Sequence, residues 1–302
     1  MRCTMINVGG LELKNPVIAA SGTFGFGREF SEYYDLGRLG GISVKGLTLE
    51  PRMGNKTPRI CETPSGILNS VGLQNPGVHE FVRTEIPFLR QFDTKIIANI
   101  AGNSFSDYEQ MAEILNDADV DAIELNVSCP NVKDGVVFGQ DPQLLEKLTR
   151  SVKDRFEKPL FVKLTPNVTS IVDTAKAAEA GGADGVSLIN TLLGMAIDIY
   201  RRRPVLANNT GGLSGPCVKP VAVRMVHEVY RNVNIPVIGM GGIETGEDAV
   251  EFIIAGASCV MVGTANFADP LACIKVIDGI EEYMEKMKIK DVRELVGSLE
   301  FN

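Results

Sequence analysis

Short, almost wholly apolar runs alternate along this chain with longer stretches of helical spacing. Eight runs recur: "PVIAAS" (16–21), "GISVKG" (41–46), "KIIANI" (95–100), "DAIELNV" (121–127), "PLFVKLT" (159–165), "DGVSLIN" (184–190), "IPVIGMG" (235–241) and "SCVMVGT" (258–264). Each is apolar at nearly every position instead of every second one, the pattern of strands covered on both faces. Between them the spacing predicts helices over 141–157, opened by Asp141-Pro142, over 169–180, ended by Gly181-Gly182, and over 217–231, 245–255 and 270–288. Eight strands, almost all followed by a helix, predict an α/β fold: a closed (β/α)8 TIM barrel filling residues 1–302 as one domain. A doubly wound open sheet is the alternative. Two connections are too long for plain turns, 47–75 after the second strand and 191–216 after the sixth. Loops of that length are usually lids or binding loops, and in a barrel both would lie at the C-terminal mouth, where the first is expected to close over a substrate.

The strand ends carry the chemistry. In order they read Ser21-Gly22, Lys45-Gly46, Asn99, Asn126 with Cys129, Lys163, Asn190-Thr191, Gly241-Gly242 and Gly263-Thr264. Any strand ends in something polar, but two lysines embedded in "ISV" and "LFV" need partners or a ligand, because an unpaired buried ammonium costs several kcal/mol. The glycine pairs after strands seven and eight stand where barrels commonly hold phosphate through backbone N–H groups. Cys129 lies just past a strand end in "NVSCPNV", with Asn126 and Asn131 as amides able to meet a heterocycle's edge. A thiol there serves as nucleophile or general base, and with no local histidine a base beside a bound cofactor fits better than a Cys/His dyad.

Composition narrows the classes. The 302 residues are 44% apolar and 23% charged, with a net charge of −8, which opposes a nucleic-acid backbone as main partner. Six scattered cysteines without a C-x-x-C pair, and only two histidines, give no disulfide framework and no zinc or iron–sulfur pattern. Cys3, Cys61, Cys217, Cys259 and Cys273 are therefore read as packing residues. No signal peptide or long apolar run points to export or a membrane, so a reduced, cytoplasmic protein is expected.

"NVSCPNV", together with "SGTFGFG" (21–27), "KGLTLEPRMGN" (45–55), "GILNSVGLQNPG" (66–77), "GGLSGP" (211–216) and "GMGGI" (239–243), closely resembles dihydroorotate dehydrogenase in order and spacing over nearly the whole chain. The likeness is greatest to the cytosolic class 1 form and its NAD-linked branch, through "CPNVKDGVVFGQDP". The resemblance implies an FMN-containing barrel that oxidises dihydroorotate to orotate in pyrimidine (UMP) biosynthesis. Cys129 matches the family's catalytic base. Lys45, Asn69, Ser70, Val71, Gly72, Leu73, Asn126, Asn131, Asn190 and Thr191 match substrate-binding positions. Ser21, Lys45, Gly46, Asn99, Asn126, Lys163, Ile189, Gly215, Gly241, Gly242, Gly263 and Thr264 match flavin-contacting ones. It further implies a homodimer of barrels and a second subunit carrying FAD and a 2Fe–2S cluster, together a heterotetramer passing electrons to NAD. The competing readings are a fumarate-dependent class 1A homodimer, dihydrouridine synthase, a Schiff-base aldolase using Lys163, and a ligand carrier. Dihydrouridine synthase would need a basic RNA-binding face.

Overall fold

The computed structural model describes residues 3–128 and 138–302. The eight expected strands are present as β1 (Val17–Ala19), β2 (Gly41–Ser43), β3 (Lys95–Ile100), β4 (Ala122–Asn126), β5 (Leu160–Lys163), β6 (Gly185–Leu188), β7 (Val237–Met240) and β8 (Cys259–Val262). Each pairs in parallel with its neighbours in chain order, and β8 pairs with β1, so the sheet closes into a (β/α)8 TIM barrel and the open-sheet alternative falls.

Strand alternation sorts the apolar runs into two layers. One set, such as Val17, Ala19, Ile123, Leu125, Val260 and Val262, joins the large core shared with the helices. The other faces the barrel axis. Ile18, Ile97, Phe161 and Ile238 come from odd-numbered strands and cluster together inside, near the bottom. The hairpin Ile6–Val8/Leu11–Leu13 packs into the same cluster and plugs the barrel from below. Two residues further along those odd strands stand Ala20, Asn99, Lys163 and Met240, facing the mouth. The barrel is thus packed solid below and polar above.

The five expected helices start within two residues of their expected positions. Asp141 accepts from Gln143 N and Leu144 N to open Pro142–Lys153, and Ser170 caps Ile171–Ala180. Thr245 and Asp248 form a capping box on Gly246–Ala255. Lys219–Tyr230 begins after a 3-10 turn, Pro216–Val218, and Ala272–Lys286 completes the set that was expected. Phe105–Asn116 adds a helix after β3. After β1 there are only two 3-10 turns, Phe30–Glu32 and Leu36–Arg38. The helical stretch before β3 is broken into Val78–Glu80, a π-turn over Phe81–Glu85, and Ile86–Leu89. Pro87 has no N–H to continue an α-ladder, which masks this segment in the sequence.

The two long connections are not independent loops. Ile60–Thr63 and Gly66–Asn69 form a hairpin, Leu192–Gly194 and Gly211–Ser214 form another, and Gly66–Asn69 pairs with Gly211–Ser214. The result is one four-stranded antiparallel sheet over the mouth. Asn75 anchors its base. Its buried amide accepts from Thr48 N (3.1 Å) and Gly77 N (2.8 Å) and donates to Thr48 Oγ1 (2.8 Å) and Leu73 O (2.7 Å). Beyond the sheet a small ribbon, Ile197–Asp198/Arg203–Pro204, projects with Ile199 and Tyr200 exposed at its tip.

The packing role assigned to the cysteines holds for Cys259 and Cys273, which are buried; burial pushes the Cys273 thiol up to about 12. It fails for Cys217, which is exposed because it sits in the Pro216–Val218 turn at the rim, its Sγ 3.8 Å from Ser214 O. Cys3 and Cys61 are half-buried. Among the described residues, no helix is long and apolar enough to cross a membrane.

Candidate active site

The mouth of the barrel holds a cavity of about 520 Å³, within the usual range for small-molecule and cofactor sites. Its floor is the uppermost inward layer, Ala20, Asn99, Lys163 and Met240, with Met261 beside them. Ser21 extends β1, Lys45 and Gly46 extend β2, and Asn126 closes β4. Ile189, Asn190 and Thr191 follow β6. Gly241 and Gly242 follow β7, and Gly263 and Thr264 follow β8. Asn69, Ser70, Val71, Gly72 and Leu73 form the opposing wall, delivered by the antiparallel sheet. Gly215 stands one step back. Its carbonyl oxygen lies 2.8 Å from where a Cβ on Gly242 would be. Cys129 and Asn131 lie outside the described residues.

Electrostatics mark the cavity for an anion. Lys45 and Lys163 both line it, and no carboxylate does among the described residues. Lys163 is 5% exposed; its Nζ donates to Ser21 Oγ (3.3 Å) and stands 4.0 Å from Glu124 Oε2. The Lys45 ammonium is held below the usual lysine range, first by burial and then by the charges of Arg59 and Lys163. Three cations thus converge on one end of a chain whose net charge is −8. At the opposite side Thr264 Oγ1 donates to Ser214 Oγ (2.9 Å), beside Gly241 and Gly242 at φ +128° and +81°. A side chain on Gly241 would meet Ala222 Cβ at 2.9 Å; glycine leaves these backbone N–H groups open to a phosphate.

The amides have a fixed sense. Asn126 Oδ1 accepts from Ser128 N (3.3 Å) and Asn190 Nδ2 (3.2 Å), which turns its NH2 toward the cavity. Asn190 also donates to Ser128 Oγ (2.8 Å) and accepts from Thr191 N (2.9 Å). Asn99 Nδ2 donates to Glu124 Oε2 (2.6 Å), leaving Oδ1 buried with no partner, an acceptor waiting for a ligand N–H. Asn167 holds the strand-six side in place, donating to Thr191 O (2.9 Å) and accepting from Leu193 N (2.9 Å).

The family-wide sequence pattern described as dihydroorotate dehydrogenase matches residues 4–284. The chain belongs to the dihydroorotate dehydrogenase family. Relatives named "Dihydroorotate dehydrogenase B (NAD(+)), catalytic subunit" from Alkaliphilus metalliredigens and Alkaliphilus oremlandii are 64% and 60% identical over 295 residues, covering 97% of this chain and 98% of each relative. One of the same name from Thermoanaerobacter pseudethanolicus is 57% identical with the same coverage. As a dihydroorotate dehydrogenase family member the chain is an oxidoreductase, and every expected site residue that can be placed lines its cavity except Gly215, which stands one step back.

Sequence reasoning missed several contributors. Glu124 sits inside "DAIELNV" and reads as a strand residue, although a carboxylate at the centre of an apolar run was a usable signal. Ser128, Ser214 and Asn167 carried none, since small polar residues near strand ends are common. Ile60, Ile67 and Leu213 line the cavity only because two remote loops pair.

Proposed function

We infer that this chain is the catalytic subunit of an NAD-dependent dihydroorotate dehydrogenase, oxidising (S)-dihydroorotate to orotate in UMP biosynthesis with FMN as its resident cofactor. The observation that carries the reading is the cavity's polar lining: buried Lys163 and half-buried Lys45, the orphaned Asn99 oxygen as an acceptor, and glycine-opened backbone opposite them. Those residues fit FMN. Asn99 Oδ1 and Lys163 would meet the polar edge of its ring system, and the Gly241–Gly242 and Gly263–Thr264 segments with Ser214 and Gly215 would hold its phosphate. When bound, FMN supplies the acceptor for the hydride leaving C6 of the substrate.

The protein's own groups do the rest. Cys129 takes the proton from C5. Asn126, with its NH2 presented, Asn69, Asn131 and Asn190 with Thr191 grip the pyrimidine ring. Lys45 faces the substrate's anionic character, which donors oriented in advance stabilise at no reorganisation cost. The sheet over the mouth excludes water from this chemistry.

Electrons then pass to NAD through a second subunit, as the relatives' designation as an NAD(+)-type catalytic subunit supports; the FAD and 2Fe–2S cluster assigned to that subunit rest on the family resemblance alone. Two barrels associate, and the exposed apolar ribbon of Ile197, Ile199 and Tyr200 is a surface suited to such burial. The assembly works in the cytoplasm. Purified chain reconstituted with excess FMN should stay yellow after desalting and bleach on adding dihydroorotate. A colourless folded protein would overturn the reading. The single chain should reduce artificial acceptors but not NAD, and brisk turnover with fumarate alone would replace the two-subunit reading with the self-sufficient one.

A further inference from the structure

One carboxylate in the barrel has no part in the chemistry above. Glu124 is fully buried on β4, one layer beneath the cavity floor. Ser43 on β2 and Ser187 on β6 stand in that layer with it, where a barrel ordinarily stacks branched apolar residues. Ser43 Oγ donates to Glu124 Oε2 and Ser187 Oγ to Oε1, each at 2.7 Å, and Asn99 Nδ2 donates to Oε2 at 2.6 Å. Lys163 Nζ completes the surroundings at 4.0 Å. Three donors and a cation surround it, which is the environment of an ionised carboxylate. A buried charge costs stability unless it is paired and hydrogen-bonded, and a leucine would fill this place without that cost.

We propose that Glu124 is a positioning and charge-balancing residue for the cofactor: it turns the Asn99 oxygen into the cavity and offsets Lys163, holding the flavin's reduction potential down. This rests on the reading that FMN occupies the cavity. Asn99 lines the cavity and donates its NH2 to Glu124, which leaves its buried Oδ1 as an acceptor without a protein partner. Lys163 alone would favour the reduced, anionic flavin. A fixed negative charge directly beneath it moderates that preference, and so raises the driving force for handing electrons on.

The test uses the FMN-reconstituted chain. Glu124→Gln keeps the volume and one oxygen acceptor for Asn99 but removes the charge. It should bind FMN within about threefold of the parent, while its preference for reduced over oxidised flavin rises about tenfold. That is a midpoint shift of about +30 mV for a two-electron couple. Glu124→Leu removes the acceptor too, and should weaken FMN binding to the apoprotein by at least tenfold. A Glu124→Gln protein that is folded and yellow, with an unchanged or lowered potential, overturns the proposal. If the parent chain binds no FMN, the functional reading falls with it; a yellow parent with an unshifted variant sinks this inference alone. A merely structural glutamate would change the melting temperature and leave the potential where it was.

Discussion

Gly212→Ala probes how the roof sets the substrate wall. Gly212 pairs with Asn69 on one side and Leu193 on the other, and its backbone oxygen accepts from Asn69 Nδ2 at 3.4 Å. A Cβ there would lie 2.0 Å from Thr191 Oγ1 and 2.6 Å from Thr191 Cβ. Rotating Thr191 relieves the first contact but not the second, which is fixed by backbone. Reaching an ordinary carbon–carbon separation of ~3.5 Å requires a shift of about 0.9 Å between the sheet and the segment after β6. Overpacking of this kind costs about 1–3 kcal/mol, or a melting temperature lower by about 2–6 °C. Because Asn69 and Thr191 both line the cavity, the same displacement should weaken orotate binding by about tenfold or more, since an ångström at a site is costly. The assay is thermal unfolding together with orotate titration of flavin absorbance. Thr191→Gly removes the opposing Cβ, so the double variant should recover part of both losses, a coupling of about 1 kcal/mol or more. Gly212→Ala with parental melting temperature and orotate affinity would refute the argument, as would strict additivity in the cycle.

Cys129→Ala should keep FMN and orotate binding and slow flavin reduction by dihydroorotate about 10²–10⁴-fold in stopped flow; an unchanged rate removes the base assignment. Lys45 has a folded-state pKa below its ordinary 10.5. Orotate affinity should therefore be full at neutral pH and fall as pH rises through that depressed value, earlier than for an exposed lysine, with Lys45→Met weak and flat. In the ligand-free protein the unfolded chain holds the Lys45 proton over that same window, so this group's contribution makes stability rise with pH there. Asn75→Ala strands buried groups around Thr48 and Gly77, and should cost about 2–4 kcal/mol in denaturant unfolding. Since one sheet joins both long connections, orotate should protect the Arg201–Arg203 turn as well as 47–75 from limited proteolysis, and equal cutting of either with and without orotate would speak against joint closure.

The sequence alone determined the barrel and most of the described residues that line its mouth. Runs such as "PLFVKLT" are apolar throughout because both strand faces are buried, and that burial is a local compositional signal. Polar strand ends and capping residues are local too, so Lys45, Asn99, Lys163 and the glycine pairs could be singled out before any fold existed. Tertiary structure decided what depends on meetings between distant segments. The antiparallel sheet pairs Gly66–Asn69 with Gly211–Ser214 across more than a hundred residues, and neither short, glycine-rich strand announces its partner. Glu124 looked like one polar letter in an apolar strand. Only barrel closure brings Ser43, Asn99, Lys163 and Ser187 around it from four other strands. The physical reason is the same in both cases: propensity and patterning act over a few residues, whereas the sense of a hydrogen bond and the sign of a field are set by whatever the closed sheet places opposite.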